Sequence, residues 1–480
     1  MNIINTQAAC RDAPRHTDAD SVLGSRLASR LVLAALALTC FSGLASGQVL
    51  PTDARPLCTF EPGEFAGWFE TGAVTLDGAV KPKDSLNFSR NVPSGDPICN
   101  FHKWSEQMFL WVTSPAPGGG RIFQSPDFYR VSAPGDDGMR TLEKNTARKN
   151  DPSLRDSKPP EHGQPGNRFV LMAVNGSLVY YATYVNEVHA YFLTGAKTGG
   201  ITPEPTRFPI EEPELEQIIA FGKDRGMTIT EIDDPKARAL VVTVKSAWVE
   251  TTRLDASKYI TVTAEIPEYT YDESNQTLTP TERMKKAQLA LVGMHVVGSA
   301  KRQRDMIWAT FEHIDNTPTA SYSYMSTTSE DPKTRDPDPT GRWLFSANKC
   351  SGSSNVPRMH ARNAPIIKDF EGRKIGPSDT CRVNAWGVHP QDQLREKAKK
   401  NTQVIAINSN VIGMLPTGDV RRNYLLIGTV WGQGVGSNQL ANTTLETYVQ
   451  DTRCFSCHQA QHRLVELNRM FESTKPLSLP

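Results

Sequence analysis

Phe169-Val170-Leu171-Met172-Ala173-Val174-Asn175-Gly176-Ser177-Leu178-Val179-Tyr180-Tyr181-Ala182-Thr183-Tyr184-Val185 contains two runs rich in β-branched and aromatic residues, joined by Asn-Gly. Both turn residues tolerate positive φ, so the stretch predicts a β-hairpin. Similar runs recur at Leu240 to Val249, Tyr259 to Ile266, Ala287 to Val297, Met306 to His313, Val404 to Ile407 and Tyr424 to Trp431, and each is expected as a strand. Apolar residues at 104, 108 and 111 have helical spacing, and Pro213 to Lys223 predicts a second helix. Residues 48–100 read as irregular with short strands, and 114–165 and 327–342 as loops rich in Pro, Gly and charge. Thr443 to Gln450 is expected as a short helix capped by Asn442 or Thr443. The fold class is therefore mainly β (α+β), a globular domain with long loops and a short helical C-terminal segment.

That segment carries Cys454-Phe455-Ser456-Cys457-His458, the C-x-x-C-H pattern of covalent c-type haem attachment. Two thiols at this spacing can form thioethers with the two vinyl groups of one porphyrin. The adjacent His places an imidazole under the iron as proximal ligand. Cys454, Cys457 and His458 are thus the expected sites for one haem c, with His458 on the metal.

An apolar run, Leu31 to Leu38, follows Arg26 and Arg30 and precedes Ala45-Ser46-Gly47. This predicts a signal peptide over 1–47 and a periplasmic protein with no later transmembrane segment. Covalent haem attachment in bacteria also follows export, so both ends of the chain point to one compartment. Residues 48–436 then form the β region, any boundary between two subdomains being expected near 327–342, and 437–480 the haem segment. Without the leader, 49 basic and 49 acidic residues remain, a balance that disfavours nucleic acid as a partner. Four cysteines besides the haem pair remain in an oxidising compartment, Cys58, Cys99, Cys350 and Cys381. Of three possible pairings, Cys58 with Cys99 and Cys350 with Cys381 is favoured by nearness in sequence.

Just 22 residues follow His458, offering His462 and Met470. His462 shares a helical face with His458, and Met470 requires the tail to reverse. A sixth iron ligand is therefore expected from upstream. His102, in Asn100-Phe101-His102-Lys103-Trp104-Ser105, is the first candidate; His295, His313, His360, His389 and Met414 follow, and a vacant distal position is the alternative. His295 and His313 are expected on neighbouring strands, with Glu312 facing away from His313.

The runs Phe101 to Pro115, Met306 to Pro318 and Ser437 to His458 resemble a group of proteobacterial cytochrome c family proteins with a single C-terminal C-x-x-C-H. The agreement at Leu440, Ala441, Asn442, Thr443, Thr444, Glu446, Thr447, Cys454, Cys457 and His458 carries the likeness. It implies haem binding and, generically, electron transfer to an unidentified redox partner protein. It supplies no substrate, and no specific enzymatic reaction is supported. The alternative is a haem enzyme or gas-binding protein with an open distal iron position. The order of β domain then haem motif is similar to that of cytochrome P460 and the β-type cytochrome c-prime, but without residue-level agreement.

Overall fold

The computed structural model describes residues 50–83, 98–145, 168–203, 205–227, 240–337, 342–346, 350–351, 354–361, 366–387, 389, 391–432, 439–450, 454, 458 and 469–478. In chain order the strands are β1 Phe128–Val131, β2 Leu142–Lys144, β3 Phe169–Val170, β4 Tyr180–Asn186, β5 Val242–Glu250, β6 Thr261–Asp272, β7 Thr277–Ala300, β8 Gln303–His313, β9 Tyr322–Tyr324, β10 Lys333–Arg335, β11 Met359–His360, β12 Ile367–Asp369 and β13 Tyr424–Trp431. The helices are α1 Pro62–Ala66, α2 Ile98–Val112, α3 Glu187–Lys197, α4 Glu212–Asp224, α5 Leu394–Met414 and α6 Arg469–Ser473. The protein is mainly β, with helices packed on an antiparallel sheet.

Eleven strands form that sheet, and β7 is its spine. The 24 residues of β7 pair with β5 and β12 along one edge and with β8 and β6 along the other; β13 closes the far side of β8. Strands on either side of 327–342 therefore share one sheet. In the Asn-Gly hairpin, Gly176 has φ +87°, and the Ala173 and Gly176 amides donate to Ser177 and Ala173 carbonyls at 2.8 and 2.9 Å. The first arm pairs with the second through a Met172–Leu178 bridge, then leaves to pair with β11.

Several expectations are corrected. Val404 to Ile407 belongs to α5 rather than a strand. Four β-branched or small apolar residues are too few to outweigh a 21-residue helix whose buried positions 404, 408 and 411 repeat at helical spacing. Strands β1 and β2 occupy part of the expected 114–165 loop, and α3 had no anticipated counterpart. Thr443 to Gln450 forms turns, with the Leu445 and Glu446 amides both donating to the Asn442 carbonyl. Within these turns the Asn442 side chain accepts from the Thr444 amide at 3.0 Å, with no helix for it to cap.

Alternation along the strands divides the sheet into two faces. On the first, α2 packs Phe109 on Phe311, ring centroids 4.2 Å apart, and Phe101 on Trp431 at 3.6 Å. On the second lie α3, α4, α6 and the chain after β13, around a cluster including Val185, Phe192, Phe208, Val297, Met306 and Phe471. Cys58 and Cys99 (Cα–Cα 5.5 Å), and Cys350 and Cys381 (4.9 Å), stand at disulfide distance, which is the favoured pairing. No helix among the described residues is long and apolar enough to cross a membrane. The leader over 1–47 lies outside the described residues.

Candidate functional site

Residues 439–450 cross the second face and lock onto it through buried polar groups. The Glu312 carboxylate, on β8, accepts from the Thr443 amide at 2.7 Å, the Thr443 hydroxyl at 2.5 Å and the Arg382 guanidinium at 2.5 Å. Glu312 and Arg382 are both buried, so each charge depends on the other for compensation. The Asn442 amide group donates to Thr310 Oγ1 and the Phe311 carbonyl at 3.0 and 2.9 Å. Close approach is possible because Gly293 lies beneath: a Cβ there would meet Thr444 Oγ1 at 2.2 Å and Asn442 Oδ1 at 2.7 Å.

Glu446 accepts from His295 Nε2 at 2.8 Å and from the Asn442 amide at 3.0 Å. Burial pushes the Glu446 carboxyl up, but His295, Lys245 and the Asn442 amide outweigh it and hold the acid below its ordinary range. The Tyr181 hydroxyl donates to the Thr444 carbonyl at 2.9 Å. Gln450 donates to the Cys381 carbonyl at 2.8 Å and accepts from the Val383 amide at 2.9 Å, so the segment also grips the Cys350–Cys381 loop.

The C-x-x-C-H stretch follows this platform in the chain, with Cys454 and His458 described. The His458 amide donates to the Cys454 carbonyl at 2.9 Å. Cys454 is half-buried beside the Leu440 carbonyl, at 3.5 Å. The His458 ring lies 4.7 Å from that of Trp308, tilted by 57°. Trp308 opposes Val297 and Val430 and points from the second face, two residues from Thr310 beneath Asn442. Cys457 and His462 lie outside the described residues.

His102, expected as the distal ligand, is not brought to His458, and that expectation is corrected. Its Nδ1 is 3.1 Å from Thr429 Oγ1, which also contacts Ser105 Oγ at 2.9 Å. Thr429 opposes Ala309 on the first face, one position out of phase with Trp308, so the sheet separates His102 from His458. His313 is on the first face too, stacked on Tyr259 at 3.9 Å and 3.0 Å from the Lys258 carbonyl. Burial lowers its pKa to about 4 despite Asp315. His295 shares the second face with His458, but its Nε2 is held by Glu446. His360 lies on β11 near Phe370, His389 beside Asp392, and Met414 ends α5 against the first core. In α6, Phe471 packs on Phe192, and Met470 borders the second-face cluster.

A residue the sequence reading passed over is His189. It sits in α3, fully buried, with no hydrogen-bond partner for Nε2 among the described residues. Its Nδ1 is 3.0 Å from Thr243 Oγ1, and burial lowers its pKa to about 3. The signal available was the pattern Asn186 to His189: an N-cap three residues before an imidazole on an apolar helix.

Among the described residues no group of three or more His, Cys, Asp or Glu gathers into a metal site of its own. Compared with known protein families, curated proteins and solved structures, the chain matches none.

Proposed function

We propose that this protein is an exported c-type cytochrome that carries one covalent haem and transfers single electrons to a redox partner in the periplasm. The C-x-x-C-H pattern carries the reading. Its support in the fold is that Cys58, Cys99, Cys350 and Cys381 pair among themselves, and that the His458 amide donates to the Cys454 carbonyl. Cys454 and Cys457 would hold the porphyrin edge and His458 the iron; the bound group supplies reversible one-electron chemistry. The protein's part is to fix the axial imidazole against Trp308 and to hold the preceding segment rigid through Glu312, Asn442 and Glu446.

The test is expression of the full chain in cells with a haem-maturation system, followed by denaturation and extraction with acidified acetone. Colour is expected to stay with the polypeptide, and to leave or never form in Cys454→Ser and Cys457→Ser. Retention of colour by the double variant contradicts thioether attachment.

A further inference from the structure

The second face of the sheet holds one cross-strand row that matters here. Thr243 on β5 opposes Val297 on β7, which opposes Trp308 on β8. His458 rests on the Trp308 end of this row, and His189 on the Thr243 end. Two strand spacings separate the ends, roughly 10 Å. The side chains around and between them belong to one apolar cluster, with Val188, Phe208, Val297, Met306 and Phe471 as members and Trp308 and Met470 packed against it.

His189 is held firmly at its end. Asn186 caps α3 by accepting from the His189 amide at 3.1 Å. The same side-chain oxygen accepts from the Val242 amide at 2.9 Å, and its nitrogen donates to the Leu240 carbonyl at 2.7 Å. These bonds tie the first turn of α3 to the start of β5 and fix the ring over Thr243. Phe208 meets the ring edge-on at 5.3 Å. Among the described residues Nε2 is thus a buried polar atom without a partner, a situation that costs about 1–3 kcal/mol and calls for a reason.

We propose that His189 Nε2 is the second axial ligand of the haem iron, opposite His458. The inference rests on the haem reading above. With its hydrogen on Nδ1, directed at Thr243 Oγ1, the imidazole presents a lone pair at Nε2, the arrangement in which ligating histidines are oriented by an outer partner. Desolvation keeps the ring neutral, as a ligand must be. Among the other described second-face groups, His295 is engaged by Glu446, and Met470 is the rival tested below.

The experiment uses the full-length holo-protein. Covalent attachment is verified first, by acid acetone, in every sample. The ferric wild type is then expected to be low-spin, with a near-infrared magnetic circular dichroism band of the two-imidazole kind and no methionine–iron charge-transfer band. His189→Gly is expected to be high-spin and to return to low-spin when imidazole is added, while Met470→Leu leaves the spectrum unchanged. A low-spin His189→Gly without imidazole, a spectrum altered by Met470→Leu, or a high-spin wild type overturns the assignment while leaving haem attachment intact. If His189→Gly does not accumulate, the wild-type near-infrared band decides: a methionine band overturns the assignment. Absence of covalent haem in the wild type overturns both readings.

Discussion

At the residue scale, the protein buries ionisable groups where their protonation is controlled by desolvation. Glu106, on α2, is buried, and desolvation pushes its carboxyl up to about 8 from 4.5. Between those values the folded state holds a proton that the unfolded chain has released. Stability therefore falls as pH rises from about 4.5 to about 8, with a slope approaching 1.4 kcal/mol per pH unit. His313 acts in the opposite sense. Its folded pKa lies below the usual 6.5, at about 4, so its contribution is present above 6.5 and is lost as pH falls toward 4. Replacing Glu106 by Gln removes the alkaline loss. Urea midpoints measured from roughly pH 5 to 9 should decline for the wild type relative to the variant. Parallel profiles would show that Glu106 ionises normally.

At the scale of elements, the short stretch 439–450 matters more than its lack of regular structure implies. Its hydrogen bonds to Glu312, Thr310 and Phe311 on β8, to His295 on β7 and to Tyr181 on β4 fasten it to three strands. Gly293 makes room for it, since an added Cβ would meet Thr444 and Asn442 side chains at 2.2 to 2.7 Å. Gly293→Ala is expected to lift the segment and destabilise the protein by about 1–3 kcal/mol. The loss should read out in denaturant melts, together with faster amide exchange at Thr443 and Thr444. Unchanged exchange would mean that the segment accommodates a methyl group. The strand runs Leu240 to Val249, Met306 to His313 and Tyr424 to Trp431 were legible because alternation and β-branching agree with the sheet they enter. Val404 to Ile407 was misread because four residues sample neither period, and the decision falls to the helix-forming residues around them.

At the scale of the whole molecule, β7 joins elements far apart in sequence, and two cysteine pairs staple loops to that frame. The Cys350–Cys381 pair closes a separation of 31 residues next to Gln450, so it stabilises the ground on which 439–450 rests. Cys350→Ser with Cys381→Ser is expected to cost about 2–4 kcal/mol, mainly by freeing the unfolded chain. Thermal melts of the variant and of the wild type with and without reductant test this; a variant that melts with the oxidised wild type would show that the thiols are not linked.

By itself the sequence determined the haem-attachment pattern, the favoured pairing of the cysteines and most of the strands, because each rests on residues close together in the chain. Tertiary structure alone decided which histidines can meet. Parity along one strand says that neighbours face opposite ways, but strand pairing and helix packing assign those faces to α2 or to α3. Those long-range contacts put His102 behind the sheet and set His189, more than 260 residues from His458, on the same face as His458.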